Sequence, residues 1–265
     1  MKMKKVKNVL VVYFARYSEA LSEVKKILNK KNLNTRYVNR ENEADVARGV
    51  RGADAVIVVG GDGTLLRASH FIERTPVLHV SAGRQKHEAF FARASPKDFA
   101  RKIRLLLQGK YKITRLMRLE ATLNGRKLPY KALNELYIGS KEPFHVARYK
   151  LIIGKRGEEQ KSSGVIISTP AGSYAWAKSA GGKLLPLTAK KIQYIVREPY
   201  FGRLTKPKLI KGVLGGNEKI VLVSKIWEKH EGTVVIDSYQ KKFDFNKGDR
   251  LVVKASKQPL NLVSF

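Results

Sequence analysis

An apolar segment that ends in a glycine-rich turn is the feature that most constrains the fold of this chain. Val56-Ile57-Val58-Val59 predicts a buried parallel strand, Gly60-Gly61-Asp62-Gly63 a tight turn, and Thr64-Leu65-Leu66 the start of a helix. A helix N-terminus offers unpaired backbone N–H groups, and glycine lets an anion approach the backbone without meeting a Cβ atom. The junction therefore predicts a phosphate-binding loop.

Asp62 is unusual in such a loop, because a carboxylate opposes the binding of an anion. We therefore interpret it as a general base or a contact to Mg²⁺ rather than as a phosphate ligand. The alternative is a simple glycine turn with an acid near a helix N-terminus, which the helix dipole also favours. Three glycines around Asp62 favour the functional interpretation, since a plain strand-to-helix turn needs fewer.

The first part of the chain alternates between strand and helix patterns. Strands are predicted over residues 8–14, 35–38, 55–59 and 76–80. Ser18 is the predicted N-cap of the first helix, and further helices are predicted near Ala44 and from Leu65. This alternation predicts an α/β domain with a doubly wound parallel sheet, in which ligands bind beyond the carboxyl ends of the strands. A fourth helix is expected to open at Ser95-Pro96, with the serine as its cap.

From residue 113 the pattern changes to the period of two that is typical of strands. One strand is expected over 116–123 and a second over 126–130, and Asn124-Gly125 between them predicts a hairpin turn. Further strands are expected over 133–138, 146–153, 165–168, 193–197, 220–226, 233–237 and 250–255. We therefore predict an α/β nucleotide-binding domain at 1–112 and a β-rich domain at 113–265, whose last strands could return to the first domain.

The composition excludes several classes of site. The chain has no cysteine, so disulfides, thiolate metal sites and cysteine nucleophiles are excluded. Its 5 histidines show no spacing typical of metal ligands, and no metal site is predicted from them. No segment approaches the roughly 20 apolar residues of a membrane span, and the basic N-terminus lacks a signal cleavage site. We expect a cytoplasmic protein that does not enter the membrane.

The charge of the chain is strongly basic, with 53 lysine and arginine residues against 22 aspartate and glutamate residues. The ion-pair networks of heat-adapted proteins would account for paired charges but not for the surplus. A polyanionic partner is one hypothesis, and a salt-rich cytoplasm that screens the repulsion is the other. Tyr111, Tyr200 and Phe201 lie beside groups of bases and could stack on unpaired nucleotides or serve as partly buried anchors.

Two further polar segments follow in the second half, and each is weak alone. Asn134-Glu135 indicates no more than a turn, and Ser168-Thr169-Pro170-Ala171-Gly172-Ser173 is explained by a capped helix start. Their order after Gly60-Gly61-Asp62-Gly63-Thr64, together with Ser179-Ala180-Gly181-Gly182, resembles the NAD kinase family over nearly the whole chain. The first motif is shared with diacylglycerol and sphingosine kinases, and the later motifs select NAD kinase.

The resemblance implies a two-domain fold with the active site in the cleft between the domains. It also implies that Asp62 activates the adenosine ribose 2′-hydroxyl of NAD, and that ATP with Mg²⁺ is the phosphoryl donor. By the same resemblance, the nucleotide-binding residues would be Gly60, Gly61, Gly63, Thr64, Asn134, Glu135, Ser163, Thr169, Ala171, Ser173 and Tyr174.

Three departures from the family pattern concern the substrate side. Ser163-Gly164 replaces an Asp-Gly pair whose carboxylate holds a ribose, and the stretch from Ala171 to Trp176 alters a Thr-Pro-Thr-Gly-Ser-Thr-Ala-Tyr motif. Ser81-Ala82-Gly83, followed by Arg84 to Glu88, replaces an Asn- and Gly-containing loop. Losing a buried acceptor for a ribose hydroxyl costs about 1–3 kcal/mol. Three hypotheses remain: a weaker NAD kinase, a kinase for another substrate, and a protein that kept the fold for another role.

The sequence therefore predicts a phosphotransferase of the NAD kinase type, which moves the γ-phosphoryl group of ATP to a ribose hydroxyl of NAD to give NADP. The alternative is a catalytically reduced protein of the same fold that binds RNA or the ribosome through its basic surface. Either protein could form a homo-oligomer.

Overall fold

A computed structural model describes residues 5–83, 89–227, 230–237 and 241–265. The chain divides into two compact units, which are Met1–Arg115 with Pro259–Phe265, and Leu116–Gln258. The helices are α1 (Ser18–Leu28), α2 (Glu43–Arg51), α3 (Asp62–Ser69), α4 (Phe99–Leu107) and α5 (Trp176–Ser179). The strands are β1 (Asn8–Tyr13), β2 (Asn34–Asn39), β3 (Ala55–Val59), β4 (Val77–Val80), β5 (Lys112–Leu116), β6 (Leu119–Leu123), β7 (Arg126–Lys127), β8 (Glu135–Ser140), β9 (Ala147–Ile153), β10 (Arg156–Ser162), β11 (Gly164–Ser168), β12 (Lys191–Arg197), β13 (Lys211–Gly215), β14 (Lys219–Ser224), β15 (Gly232–Ile236), β16 (Lys241–Asp244), β17 (Arg250–Ala255) and β18 (Leu260–Ser264).

The first unit is built on a six-stranded sheet of order β2-β1-β3-β4-β18-β5, whose pairs from β2 to β18 are parallel. Residues of β1 and β3 are buried on both faces of this sheet, which is why both strands are continuously apolar. Side chains of α1 and α4, such as Val24 and Ile103, share a core with Val11 and Ile57 on one face. On the other face α2 approaches β1, where Gly49 lies against Leu10.

Three helix starts differ from the predicted positions. The helix expected from Leu65 begins at Asp62, directly after the glycine turn. Ser18 is the first residue of α1 rather than its cap, because a short 3-10 turn at Ala15–Tyr17 leads into the helix. Ser95 does not open α4, which begins at Phe99. The Ser95 backbone N–H and hydroxyl instead donate to Asp98 Oδ1 at 2.6 and 3.0 Å, forming a turn before the helix.

The second unit contains two six-stranded sheets, of order β10-β9-β14-β17-β6-β7 and β13-β12-β11-β8-β15-β16. The strand pairs among its described residues are antiparallel. The inner faces of both sheets supply one core, with Leu151 and Leu222 from one sheet and Val165 and Ile167 from the other. Among the described residues, no helix has the length and apolar character needed to span a bilayer.

The hairpin predicted at Asn124-Gly125 is confirmed, since it joins β6 to β7 and both residues have positive φ, 49° and 80°. The prediction of a single strand over 116–123 is wrong, because residues 117 and 118 are not in a strand and separate β5 from β6. At this break Arg118 is buried, and its Nε donates to the Gln258 carbonyl at 2.9 Å. Strands β10 and β13 were not expected, since neither has the apolar content of a buried strand.

Candidate active site

The glycine-rich loop connects the end of β3 to the start of α3. Gly60 has a φ of +150°, and a Cβ atom there would lie 2.6 Å from Thr64 Oγ1, so only glycine fits. At Gly63 a Cβ atom would make only an ordinary 3.7 Å contact with Arg40 Nη1, so the protein's own packing does not require glycine. The exposed backbone at Gly63 leaves the first turn of α3 open to a phosphate group.

Asp62 is held in place by the segment that follows β4. Its Oδ2 accepts the Phe90 N–H at 2.9 Å and its Oδ1 accepts the Phe91 N–H at 3.1 Å. Its side chain is 22% exposed, so the carboxylate is fixed in orientation and still reachable. The altered loop from Arg84 to Glu88 lies outside the described residues.

Two basic residues, Arg93 and His79, lie close to Asp62. Arg93 donates from Nη1 to the carbonyls of Phe90 and Ala92, and burial lowers its pKa, whereas the negative charge of Asp62 acts to raise it. His79 is fully buried, its Nε2 lies 2.9 Å from the Gly60 carbonyl, and its Nδ1 lies 3.9 Å from Asp62 Oδ1. Burial, the largest cause, lowers the pKa of His79 to about 4, so the ring is neutral at pH 7 and donates from Nε2.

The buried neutral His79 makes the stability of the protein sensitive to acid. Its pKa of about 4 in the fold lies below the roughly 6.5 of an unfolded histidine, so its contribution is present above pH 6.5 and is lost as the pH falls to 4. We expect this loss to be about 3 kcal/mol. Urea unfolding between pH 7 and 4.5 should show a steeper loss for wild type than for His79→Gln, which can still donate to Gly60. Equal slopes for both proteins would contradict this assignment.

Sequence reasoning missed a cluster of charged side chains beside the loop. Arg40 directly follows β2, and its Nη1 donates to Thr64 Oγ1 at 3.2 Å. Its guanidinium lies 3.6 Å from the centre of the Phe14 ring, which fixes it in place. Glu41 pairs with both Arg40 and the buried Arg67, so the three side chains carry one net positive charge. The signal for Arg40 was its position after a parallel strand, at the sheet edge where ligands bind.

In the second unit, the Asn134-Glu135 turn is fixed by Asp237. The Asp237 carboxylate accepts backbone N–H groups from Leu133 at 3.0 Å, from Asn134 at 2.7 Å and from Glu135 at 3.3 Å. Burial raises the pKa of Asp237 to about 7, although these three donors act to lower it. The Asn134 side-chain oxygen is buried and has no hydrogen-bond partner within the described parts of the chain. Buried acceptors normally have a donor, so this oxygen is a candidate acceptor for a ligand.

The structure brings the Thr169 segment against the Asn134-Glu135 turn. Thr169 donates its N–H to the Asn134 carbonyl at 2.9 Å and its hydroxyl to the Leu133 carbonyl at 2.6 Å. A Cβ atom at Gly172 would overlap the Asn134 carbonyl oxygen, which explains the glycine.

The two predicted hydroxyl ligands of this segment are already used by the protein. The Thr169 hydroxyl also accepts the Gly172 N–H at 3.0 Å, while the Ser173 hydroxyl donates to the Pro170 carbonyl and accepts the Leu185 N–H. Both residues are buried, as is Ala171, whereas Tyr174 is 39% exposed. The hydroxyls of Thr169 and Ser173 therefore shape the turn.

Ser163, predicted as a departure on the substrate side, lies in a partly buried aromatic setting. Its carbonyl accepts the Tyr137 hydroxyl at 2.6 Å, and the Tyr137 ring packs on Trp176 with ring centres 5.2 Å apart. Gly164 has a φ of +131°, and a Cβ atom there would meet the Ile138 carbonyl at 2.6 Å. The backbone is thus tightly packed around Ser163.

The chain combines a parallel α/β unit that carries a glycine-rich loop with a second unit that is a β sandwich. Family models for the ATP-NAD kinase N-terminal domain and the ATP-NAD kinase C-terminal domain match residues 6–111 and 133–265 of this chain. The chain therefore belongs to the NAD kinase family.

A relative in sequence supports this assignment, and two solved structures share the fold. The chain is 31% identical over 271 residues to a probable NADH kinase of Oryza sativa subsp. japonica, covering 93% of this chain and 81% of that protein. It matches yeast NADH kinase complexed with NADH at a TM-score of 0.83 and 18% identity, covering 99% of this chain and 84% of that one. It matches an Archaeoglobus fulgidus NAD kinase in complex with ATP at a TM-score of 0.75 and 24% identity, covering 97% and 93%. The predicted fold class is confirmed.

Proposed function

We propose that this chain transfers the γ-phosphoryl group of ATP to a ribose hydroxyl of NAD or NADH. The observation that carries the proposal is that family models for both kinase domains match the two parts of the chain. The rice relative is a probable NADH kinase, one solved structure contains NADH, and the other contains ATP. These names support a nicotinamide dinucleotide as acceptor and ATP as donor.

In this proposal the first unit supplies the groups for phosphoryl transfer. The backbone N–H groups around Gly61 and Gly63 bind donor phosphates, and the fixed charge of Arg40 adds to them. The Thr64 N–H donates to the Gly61 carbonyl at 2.9 Å and so shapes the turn. Asp62 accepts the proton of the acceptor hydroxyl while that oxygen bonds to the γ-phosphorus. The bond from the γ-phosphorus to its bridging oxygen breaks, and ADP leaves with that electron pair. Catalysis then comes mainly from positioning and charge neutralisation.

Mg²⁺ fits this loop as a partner of ATP rather than as a resident ion. No group of three histidine or acidic side chains in the described parts of the chain could hold a metal by itself. Mg²⁺ usually keeps several waters and is held largely by substrate phosphates, so it would enter with ATP. The partly exposed Asp62 would attract the ion by its charge while its carboxylate remains the proton acceptor. Bound there, Mg²⁺ would neutralise the charge that develops on the phosphates.

The second unit supplies the dinucleotide pocket in this proposal. The unpartnered Asn134 oxygen would accept a hydrogen bond from the substrate, and Glu135 lies next to it at the start of β8. The Thr169–Ser173 turn would act through its shape, because its hydroxyls bond to the backbone. Asp237 is a positioning residue, since its contacts set the backbone of Asn134 and Glu135.

Direct measurement of product tests the proposal. The purified chain should convert NAD to NADP or NADH to NADPH with ATP and Mg²⁺, as followed by separation of the four dinucleotides, and a chelator should abolish the reaction. Parallel reactions with each acceptor establish which form is preferred. Binding of ATP without phosphorylation of either dinucleotide would overturn the proposed acceptor and favour a kinase for another substrate.

Replacing Ser163 by aspartate tests whether the pocket is a weakened NAD site. A restored carboxylate should accept a hydrogen bond from a ribose hydroxyl and tighten dinucleotide binding by about 1–3 kcal/mol, or roughly 5- to 150-fold. Titration calorimetry of Ser163→Asp against Ser163→Asn separates the carboxylate from a mere change in size. Binding that is unchanged or weaker would show that the pocket has been rebuilt for another ligand.

The relatives favour the kinase over a catalytically reduced RNA or ribosome protein, because each of those described above is named as a kinase of NAD or NADH. The cytoplasmic location and a homo-oligomeric state stay predictions.

A further inference from the structure

The β10-β9-β14-β17-β6-β7 sheet of the second unit has one face in the core and one face turned outward. Tyr149 and Leu151 point into the core, so the alternating residues Arg148 and Lys150 lie on the opposite side, here called the outer face. Cross-strand partners share a face, which places Lys161 beside Arg148 and Lys219 beside Lys254. The register therefore gathers side chains from distant parts of the sequence onto one surface.

The outer face carries a large excess of positive charge. Its two acids are already paired, Glu120 with Lys127 and Lys254, and Glu159 with Lys225. Five more bases of this face make no ion pair with any residue that the structure describes: Arg148, Lys150, Lys161, Lys219 and Arg250. Ion-pair networks need acids in comparable number, so they do not explain this surface.

Two exposed aromatic rings stand at one end of the outer face, each next to a base. The Arg148 guanidinium lies 4.2 Å from the centre of the Trp227 ring, and Lys161 Nζ lies 5.7 Å from the centre of the Tyr200 ring. Trp227 is 58% exposed and Tyr200 is 52% exposed. A cleft of about 340 Å³ runs between β9, β10 and Trp227. By contrast, Tyr111, also considered from sequence, packs against the core of the first unit.

The basic side chains and the two exposed aromatic rings together favour one class of ligand. A second copy of the chain would place the same positive face against itself, which like-charge repulsion opposes. A lipid surface attracts the bases but gives the two aromatic rings no planar partner. A single-stranded nucleic acid offers phosphates to the basic side chains and unpaired nucleobases to the aromatic rings. Proteins that bind such strands use this arrangement. RNA loops, bulges and ends present unstacked nucleobases of this kind to aromatic side chains.

We propose that the outer face binds single-stranded RNA, with Arg148, Lys150, Lys219 and Arg250 contacting phosphates and Trp227 and Tyr200 stacking on bases. The site lies within the second unit and uses none of the residues proposed for catalysis. RNA binding and kinase activity can therefore succeed or fail independently.

A salt titration with a fluorescent 20-nucleotide oligouridine tests the proposal. For the full chain, log affinity should fall linearly with log salt at a slope of several, since each phosphate contact releases counterions. The triple variant Lys150→Glu, Lys219→Glu and Arg250→Glu should bind at least tenfold more weakly at 100 mM salt and lower the slope by about 2, at roughly 0.7 per contact. A control variant of equal charge, Lys7→Glu, Lys110→Glu and Lys112→Glu in the first unit, should bind nearly as well as wild type.

Aromatic variants distinguish stacking from general attraction between charges. Trp227→Ala and Tyr200→Ala should each weaken binding about tenfold at every salt concentration and leave the slope unchanged. Equal losses in the triple variant and its control would overturn the location. Binding of double-stranded RNA as tight as that of oligouridine, or binding to anionic lipid vesicles without binding to oligouridine, would overturn the ligand. An unchanged circular dichroism spectrum and an unchanged thermal unfolding midpoint in each variant show that the protein remains folded.

Discussion

Asp62→Asn is expected to lower turnover by about 100-fold or more while ATP and dinucleotide still bind. The amide cannot accept a proton, so the acceptor hydroxyl would attack without a base. It also turns one N–H donor toward the Phe90 or Phe91 N–H, whereas the native carboxylate accepts both. We therefore expect a small loss of stability beside the large loss of turnover. Steady-state kinetics with saturating substrates, together with calorimetric dissociation constants, would measure both effects.

The matched control for this change is Asp98→Asn in the same unit. Asp98 also accepts a backbone N–H, from Ser95, and burial there is opposed by hydrogen bonds that leave its pKa low. Asp98→Asn also changes a carboxylate that accepts a backbone N–H, but it removes no proton acceptor from the reaction. Turnover should therefore stay near the wild-type value. Turnover of Asp62→Asn within threefold of wild type would reject the role of base.

Arg40→Leu is expected to raise the KM for ATP about 10- to 150-fold with little effect on the KM for the dinucleotide. Hydrogen bonds from a charged donor are worth about 1.5–3 kcal/mol, which corresponds to that range. The side chain is preorganised by the Phe14 ring and by Thr64, so little entropy is lost when it meets a phosphate. Initial rates over a matrix of both substrate concentrations would separate the two KM values.

Two companion variants make the Arg40 result specific. Arg40→Lys keeps the charge without the planar fork and should recover part of the lost affinity. Arg36→Leu removes an arginine from β2 that pairs with Asp45 on the surface, and it should leave both KM values within twofold. An unchanged KM for ATP in Arg40→Leu would show that Arg40 serves the loop structurally and does not contact the donor.

Local patterns were enough to predict the elements that form from neighbouring residues. The apolar strand before Gly60 and the hairpin at Asn124-Gly125 each depend on a few adjacent side chains and on positive φ. Strand β10, of sequence Arg-Gly-Glu-Glu-Gln-Lys-Ser, was missed because its stability comes from hydrogen bonds to β9 rather than from apolar side chains. Propensity in a single sequence does not contain that partner.

The candidate site was predictable in its residue types but not in its contacts. Asp237 lies far along the chain from the Asn134-Glu135 turn that it holds, and only strand register brings them together. Arg40 was missed because no motif surrounds it. The hydroxyls of Thr169 and Ser173 have the chemistry of ligands, and only the folded backbone shows that the turn consumes them.

Strand β18 gives the protein an order of assembly. It pairs with β4 inside the first unit's sheet, although the whole second unit separates them in the chain. During synthesis β1 to β4 emerge early and must wait, with one side of β4 unpaired, until residues 260–264 arrive. An unpaired strand edge invites wrong pairing, so the nascent first unit is the stage most exposed to aggregation. The pairing of β6 with β17 places Leu119 beside Ala255, so closure of the second unit returns the chain that continues into β18 to the point where it left the first unit.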